Sequence, residues 1–267
     1  MVGKIKDNLK ASQIFIQAFD YRRFKELFGS SLTFEVLKNP FRGKVLVLAP
    51  HPDDEIIGLG GALAQHVVQE DEIKIIYLTD GSLGFPDNIR PTSSEKNAMA
   101  KRREAEAKEA AEVLGLKDLN FWRFKDGSLV ANKTTIKLMQ NILLSYKPEI
   151  VYCPFPLDSH HDHQETAKIL YEALRLSDSK AKVFCYEVWT PLFANKIINI
   201  DSTIKKKLEA LKKYQSQLDS RNYLGAVEGL AKYRSGMYDA GSHAEAYFAS
   251  TADYYLKLFF QLKCRKF

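Results

Sequence analysis

Two clusters of histidine and carboxylate side chains, far apart in the chain, carry groups that could bind one metal ion. The first is His51-Pro52-Asp53-Asp54-Glu55, directly after an apolar run at 44–49, and the second is Asp158-Ser159-His160-His161-Asp162-His163. Zinc in a catalytic site takes three nitrogen or oxygen ligands from the protein and leaves the fourth position to water. A His and an Asp from one segment and a His from the other meet that requirement, so the sequence predicts a catalytic metal centre.

The two clusters resemble the motifs of the PIG-L/LmbE family of zinc-dependent N-acetylglucosaminyl deacetylases, which carry A-H-P-D-D-E at the end of a strand and H-x-D-H later. The first motif here reads Ala49-Pro50-His51-Pro52-Asp53-Asp54-Glu55, with one residue inserted between Ala and His, and the second reads His160-His161-Asp162-His163. Weaker similarities extend the resemblance from Gly43 to Phe248. The resemblance implies a hydrolase that removes the N-acetyl group from an N-acetylglucosaminyl-type conjugate by metal-activated water.

The resemblance also implies a role for each motif residue. One zinc ion per chain, or another divalent metal, is expected to bind to His51, Asp54 and His163. Water bound to zinc ionises near neutral pH, and Asp53 is expected to accept its proton as general base. His160 is expected to donate a hydrogen bond to the oxyanion that forms. For Asp162 we expect a supporting role, in which its carboxylate orients His160 or a ligand imidazole.

Three further residues are predicted to contact the substrate: Arg103, His243 and Glu245. Arg103 opens a predicted helix and could bind a polar substrate group, but a neighbouring glutamate could instead pair with it at the surface. His243 reaches the site only if the C-terminal segment folds back over it. Glu245 lies in one of the weaker family matches, from which its role is carried over.

Two more histidines near the motifs, His161 and His66, are expected to take no part in metal binding or catalysis. His161 occupies the variable position of H-x-D-H, and alternation along an extended segment would direct it away from His160. His66 falls in the helix that follows the first motif, where we expect a hydrogen-bonded, structural histidine at the surface or half-buried.

Helix capping offers a competing explanation for the first motif. Asp53, Asp54 and Glu55 precede a predicted helix, where free backbone amides and the helix dipole favour acidic side chains. Capping explains neither His51 nor the second cluster. Two other functions stay open at this point: a zinc amidohydrolase acting on another acylated amine, and a non-catalytic sugar- or nucleotide-binding module whose carboxylates are only caps.

The elements that must position these residues alternate along the chain from Gly43. Strand-like segments at 44–48, 72–79, 119–124, 149–153 and 182–189 are separated by helix-like segments at 56–68, 94–114, 134–146 and 164–174. This order predicts an α/β fold, a three-layer, Rossmann-like, mostly parallel sheet with helices on both faces. Ligands of such sheets bind at the carboxyl ends of the strands, where four segments end in polar residues, namely His51, Asp80, Asp126 and Asp158.

The chain is predicted to divide into an N-terminal helical extension, 1–42, and a deacetylase-like domain, 43–267. The extension is assigned from apolar residues spaced as in amphipathic helices. Within the domain, segment 83–93 carries two prolines and a glycine between a strand and a helix, and it is longer than a typical loop of this kind. We expect it to flank the site.

Bulk composition narrows the class of protein. The 267 residues are 45% hydrophobic and 27% charged, which are ordinary globular values. No apolar stretch approaches the roughly 20 residues of a membrane span, and the start does not lead into a signal-peptide core. The three cysteines, Cys153, Cys185 and Cys264, cannot all pair internally, which fits a reducing compartment. We therefore expect a cytoplasmic protein.

The net charge of +6 is spread over many lysines and arginines, and is expected to form a solvated surface. No basic and aromatic stripe or nucleic-acid motif accompanies it. The expected partner is a small-molecule N-acetyl amino-sugar conjugate, without nucleic acid or membrane, and self-association of the chain stays open.

Overall fold

The computed structural model describes residues 33–86 and 88–264, in which strands and helices alternate. The strands are β1 (Glu35–Leu37), β2 (Val45–Ala49), β3 (Ile73–Thr79), β4 (Asp118–Phe124), β5 (Ile150–Pro154), β6 (Lys182–Tyr186), β7 (Lys196–Asn199) and β8 (Ala244–Thr251). The helices are α1 (Asp54–Val68), α2 (Ser93–Leu114), α3 (Lys133–Tyr146), α4 (His161–Arg175), α5 (Ile204–Leu211), α6 (Gln215–Leu218), α7 (Tyr223–Tyr238) and α8 (Ala252–Cys264).

The strands of the described chain form one eight-stranded sheet in the order β1-β7-β8-β6-β5-β2-β3-β4. All neighbouring pairs are parallel except those of β8, which runs antiparallel to both β6 and β7. The predicted α/β fold with a mostly parallel sheet is therefore confirmed. The antiparallel β8 lies in the segment after residue 243, whose sequence mixes strand-like and helix-like features.

The sheet is covered on both faces, as predicted. Helices α1, α2, α5 and α7 bury apolar side chains in one core, which includes Ile56, Ala110 and Ala210. Helices α3, α4 and α8 bury theirs in the core on the opposite face, which includes Met139 and Leu170. Since both faces are covered, β2 and β5 are buried along their whole length.

The sheet topology brings the two sequence motifs together. Strands β2 and β5, which precede the two motifs, are direct neighbours in the sheet. From β2 the chain continues through β3 and β4 on one side, whereas β5 and β6 lie on the other side. Strand order thus reverses between β2 and β5, and in parallel sheets such a switch point opens a crevice outside the strand ends.

The predicted boundary at residue 42 needs a correction within the described residues. Residues 35–37 form β1, which pairs in parallel with β7, so this part of the chain belongs to the sheet and not to a helical extension. A strand of three residues is too short for its side-chain alternation to be recognised in the sequence. The prediction for residues 1–32 lies outside the described residues.

No helix in residues 33–86 and 88–264 combines the length and apolar character that crossing a membrane requires. The longest of them, α2, contains 22 residues but carries charged side chains along its exposed face.

Candidate metal centre

The first motif forms a tight, strained turn between β2 and α1. His51 follows the strand closely, and the amide of His51 donates to Asp54 Oδ2 over 2.9 Å. Between them Asp53 adopts φ 125°, a backbone conformation that residues other than glycine rarely adopt. Strain of this kind is retained where the surroundings hold the residue in place, and it occurs often at functional sites. The turn directs both His51 and Asp54 into the crevice.

The second motif reaches the same crevice from the start of α4. His160 is the N-cap residue of α4, and His163 lies in its first turn. The sequence had led us to expect His163 in a loop, but the helix begins two residues earlier. On the first turn of α4, His163 is fully buried against the residues of the first motif.

The carboxylate of Asp54 contacts both predicted ligand imidazoles, and His51, His160 and His163 have ring nitrogens within 4.8 Å of one another. Asp54 Oδ2 lies 3.1 Å from His51 Nδ1 and 3.2 Å from His163 Nε2. Ligand atoms about 2.1 Å from a tetrahedral zinc ion lie about 3.4 Å from one another, close to these separations. The rings of His51 and His163 have centroids 5.4 Å apart. The geometry therefore fits a bound divalent metal.

The bonding of His163 supports the same conclusion. Its ring nitrogens lie 3.2 Å from Asp54 and 3.4 Å from Asp158, yet neither is aligned for a hydrogen bond with any described residue. Buried polar atoms without a hydrogen-bond partner are rare in folded proteins, and ion binding is a recognised role for them. Two imidazoles and a carboxylate are a donor set that suits zinc.

The pKa values of the two imidazoles show that the surrounding carboxylates favour positive charge at this site. Burial alone would lower the pKa of His163, but the charge of Asp54 and the nearby Asp158 raise it to about 9. Burial would likewise lower the pKa of His51, and contacts with Asp126, Asp162 and Asp54 raise it well above its ordinary value. A divalent cation would supply the same positive charge while leaving both imidazoles neutral.

Three more carboxylates lie beside the ring nitrogens of His51 and His163 that face away from Asp54. His51 Nε2 lies 3.1 Å from Asp162 and 3.2 Å from Asp126, so its second nitrogen faces acids while the first faces Asp54. His163 has the same arrangement with Asp158. Carboxylates on the outer nitrogen fix the tautomer and orientation of a metal-binding histidine. Asp162 thus contacts a predicted ligand imidazole, which was one of the two roles expected for it.

Sequence reasoning assigned no role to Asp126 or Asp158. Asp126 was noted only as a polar residue at a strand end, and Asp158 also as the first residue of the second cluster, because a carboxylate at that edge is common to many α/β proteins. In the structure, Asp158 also accepts hydrogen bonds from the amides of His160 and Trp189, which fix the loop before α4.

The predicted base, Asp53, is held from two sides. Arg103 donates to Asp53 Oδ1 over 2.8 Å and to the carbonyl of Pro52 over 2.5 Å. The Asp53 amide donates to Glu55, whose carboxylate accepts from the hydroxyls of Tyr77 and Tyr214. Burial raises the pKa of Asp53 to about 7, against the opposing charge of Arg103. A carboxylate with such a pKa can accept and release a proton near neutral pH.

The neighbouring histidines of the second motif point in different directions. His160 lines the crevice, and its Nδ1 accepts from the Asp162 amide, so a neutral ring carries its proton on Nε2. Burial and the proximity of His51 lower the pKa of His160, which keeps it neutral. His161 Nε2 instead lies 3.0 Å from the carbonyl of Leu129. As expected, His161 is directed away from His160, although by the turn of a helix and not by strand alternation.

The crevice encloses a cavity of about 370 Å³, which we call the metal cavity. His51, Asp53 and Asp54 form its floor, and residues 83–85 lie along one wall. The first three residues of the segment predicted to flank the site therefore do so. Cavities of this size accommodate small molecules.

The three predicted substrate contacts lie in different places. Arg103 lines the metal cavity, and its Nε has no hydrogen-bond partner among the described residues. Glu245 does not line this cavity. Its oxygens accept from the amides of Gly61 and Ala62, which are free because α1 is interrupted at Leu59, and from Lys207.

His243 also lies outside the lining of the metal cavity. It stands directly before β8, where its amide donates to Asp201 and its Nδ1 lies 3.5 Å from the same carboxylate. The structure therefore brings Arg103 to the metal centre and leaves His243 and Glu245 apart from it.

Residues 46–174 match the family model of PIG-L, described as GlcNAc-PI de-N-acetylase. The diacetylchitobiose deacetylase of Thermococcus kodakarensis is 29% identical over 219 residues, which cover 74% of this chain and 80% of that protein. A protein of Bacillus anthracis, described as a probable N-acetyl-alpha-D-glucosaminyl L-malate deacetylase, is 27% identical over 66% of this chain and 82% of its own length.

The fold has a solved counterpart. The N,N'-diacetylchitobiose deacetylase of Pyrococcus horikoshii superposes with a TM-score of 0.71, covering 88% of this chain and 94% of that chain at 24% identity. The likeness extends well beyond the matched family segment, so the arrangement of the sheet and its helices is shared across nearly the whole of that protein.

Proposed function

We propose that this chain, which belongs to the PIG-L family, is a zinc-dependent hydrolase that removes the N-acetyl group from a small N-acetylglucosaminyl-type conjugate. The observation that carries the proposal is the bonding of His163, a fully buried imidazole that faces Asp54 without a hydrogen bond at either nitrogen. The relatives are enzymes that hydrolyse N-acetyl amides, and they support the same reaction here.

In this proposal, one zinc ion is held by His51 Nδ1, Asp54 Oδ2 and His163 Nε2. Zinc bound in such a site would lower the pKa of a water molecule from its value in bulk water to about 7 and would polarise a carbonyl group. The outer carboxylates Asp126 and Asp158 keep the imidazoles in the required orientation. Asp162 does so for His51.

Asp53 and His160 handle the proton and the developing negative charge. Asp53 accepts the proton of the attacking water, and Arg103 and Glu55 hold it in position while it does so. His160 donates from Nε2 to the carbonyl oxygen as that oxygen becomes negative. Asp53 then returns its proton to the leaving amine, so that acetate and a free amino sugar are released.

The metal cavity holds the acetamido group and its sugar ring. Of the three predicted substrate contacts, Arg103 is the one we assign to the metal cavity, because it lines that cavity. We propose a cytoplasmic location, where the free thiols of Cys153 and Cys185, 3.9 Å apart and buried, stay reduced.

A screen of N-acetylglucosaminyl conjugates, with acetate release as the readout, tests the proposed reaction. We expect acetate release that depends on bound zinc, at about one ion per chain, and that is lost in Asp53→Asn. Activity on other acylated amines but on none of the sugars would favour the alternative amidohydrolase. A metal-free protein that binds sugars without releasing acetate would favour the binding module.

A further inference from the structure

A second cavity of about 440 Å³ lies beside the metal cavity, and we call it the side cavity. The two cavities share five lining residues, which form the ridge between them. These are Ile57, Val188, Trp189, Arg221 and Tyr223. The remaining wall of the side cavity comes mainly from α7 and from the first residues of β8. A ligand that reaches the metal can therefore extend over the ridge into this space.

Apolar side chains dominate the side cavity. Helix α7 contributes Ala226, Val227, Leu230 and Ala231, of which Val227 and Ala231 are buried. Ile57 adds a further aliphatic surface from α1. Apolar surface of this kind binds ligands by removing their apolar groups from water, with a gain that grows with the area covered.

The buried charged groups of the side cavity are already paired with each other or with neighbours. Lys207 Nζ lies 2.6 Å from Glu245 Oε1, and Arg234 Nε donates to Glu187 over 2.9 Å. A second sugar ring placed here would have to exchange the hydration of its hydroxyls for contacts with apolar side chains, which is unfavourable. The chemistry of the lining therefore favours an alkyl or aryl group.

We propose that the side cavity is a subsite for an apolar aglycone, an alkyl or aryl group attached to the N-acetylglucosaminyl unit whose acetamide lies at the metal. The proposal rests on the proposed function and specifies its substrate class. Trp189 lies on the ridge with its indole 39% exposed, and Arg221 stacks over it at 4.9 Å from the ring centroid. The ridge thus lies between the parts of the substrate that we assign to the two cavities.

A series of alkyl N-acetylglucosaminides tests the subsite. With the full-length, zinc-loaded protein, kcat/KM for acetate release should rise about three- to fourfold per methylene until the cavity is full, and at least about tenfold from the methyl to the octyl glycoside. The gain should come mostly from KM, because the alkyl group binds equally in the ground and transition states. Concentrations are kept below those at which the octyl compound forms micelles.

A substitution that fills the side cavity should remove this gain. In Ala226→Phe, the ratio of kcat/KM for the octyl and methyl glycosides should fall to within about threefold of unity. Ala105→Phe is the matched control, because Ala105 is exposed on α2 and lines neither cavity. The control should keep the ratio of the unmodified protein.

Calorimetry provides a readout that does not depend on turnover. Octyl N-acetylglucosaminide binding to Asp53→Asn should show a more negative heat-capacity change than methyl N-acetylglucosaminide binding, as burial of apolar surface requires. Equal heat-capacity changes, a flat chain-length series, or an unchanged ratio in Ala226→Phe would each overturn the subsite while leaving deacetylation intact. Absence of acetate release from every glycoside would overturn the proposed function itself, and calorimetry would still report on the subsite.

Discussion

A buried histidine lies beside a carboxylate at each end of helix α1, and the two histidines differ in whether their ring nitrogens have hydrogen-bond partners. At the C-terminal end, His66 Nδ1 lies 2.7 Å from Asp71 and Nε2 lies 3.0 Å from the hydroxyl of Tyr152, so both nitrogens have partners. At the N-terminal end, His163 packs against Asp54 and has no hydrogen bond at either nitrogen. Both imidazoles are fully buried.

The difference separates the structural histidine His66 from one of the predicted ligands, His163. Burial lowers the pKa of His66 despite the nearby Asp71, so the folded protein holds it neutral within a closed network. The charge of Asp54 and the nearby Asp158 raise the pKa of His163 to about 9, so the carboxylates around it favour a positive charge. Burial beside an acid is common to both ends. The unsatisfied nitrogens occur only at the end that we assign to metal binding.

The largest expected effect follows from removing a proposed ligand. His51→Ala, Asp54→Ala and His163→Ala should each weaken zinc binding by on the order of 10²-fold or more, since loss of outer partners alone typically costs 10- to 100-fold. Metal content is measured by elemental analysis after dialysis against a weak chelator. His66→Phe is the matched control at the other end of the helix, and should retain the metal.

Wild-type metal content in all three ligand variants would contradict the assignment of the N-terminal end. Loss of metal in His66→Phe with the fold intact would contradict the structural role of His66, because it would show that metal binding depends on this histidine.

A smaller loss is expected when the base is changed without touching a ligand. Asp53→Asn should retain zinc while turnover falls by roughly 10²- to 10⁴-fold, which is the usual contribution of a positioned base. Asparagine keeps the size of the side chain and can still accept from Arg103, so the strained turn should persist. Activity within a few-fold of the unmodified protein would return Asp53 to a helix-capping role.

The two adjacent histidines of α4 test how the second motif is aligned with the site. His160→Ala should lose on the order of 10²-fold in turnover with zinc retained, as expected for a donor to the oxyanion. His161→Ala should change turnover little, because His161 bonds the carbonyl of Leu129 outside the metal cavity. A stronger effect of His161→Ala would show that the motif contacts the substrate through the other imidazole.

The motifs and the strand order could be predicted from sequence because each depends on local patterns. Apolar runs followed by polar residues identified β2 and β5, and their parallel pairing placed both motifs at one edge. Outer contacts such as Asp126 to His51 depend on the ends of three separate strands, and no spacing in the chain encodes them. The strand β1 was missed for a related reason, since three residues carry too little periodicity.

Residue roles that depend on hydrogen-bond partners also could not be predicted from the sequence. Glu245 stays a predicted substrate contact, but the sequence does not show that the interruption of α1 at Leu59 frees two amides that bind its carboxylate. His66 was expected at the surface or half-buried, and it is fully buried because Tyr152 from β5 and Asp71 reach both of its nitrogens. An acid or a histidine in a motif is visible in sequence, whereas its partners are not.

The hydrogen bonds of His66 with Asp71 and Tyr152, at the C-terminal end of α1, should contribute to stability and not to catalysis. His66→Phe leaves the Tyr152 hydroxyl and Asp71 without their imidazole partner, so the free energy of unfolding should fall by about 2–4 kcal/mol. Turnover per folded molecule should be unchanged, since His66 lies 12 residues, or about 18 Å of helix, from Asp54. Chemical denaturation and activity below the transition measure the two quantities. A loss of turnover without a loss of stability would instead assign His66 a role in catalysis.

The smallest effect concerns the pH dependence of that stability. Because burial lowers the pKa of His66 below its ordinary value of 6.5, the unfolded chain binds a proton more readily than the folded chain as pH falls below that value. The His66 contribution to stability is therefore complete above about pH 6.5 and decreases as pH falls towards the folded pKa. The difference in unfolding free energy between zinc-loaded wild type and His66→Phe should shrink from pH 7 to pH 5.5, because groups common to both proteins cancel. A difference that stays constant or grows on acidification would mean that His66 is charged in the folded protein, and its imidazole would then resemble those at the metal end.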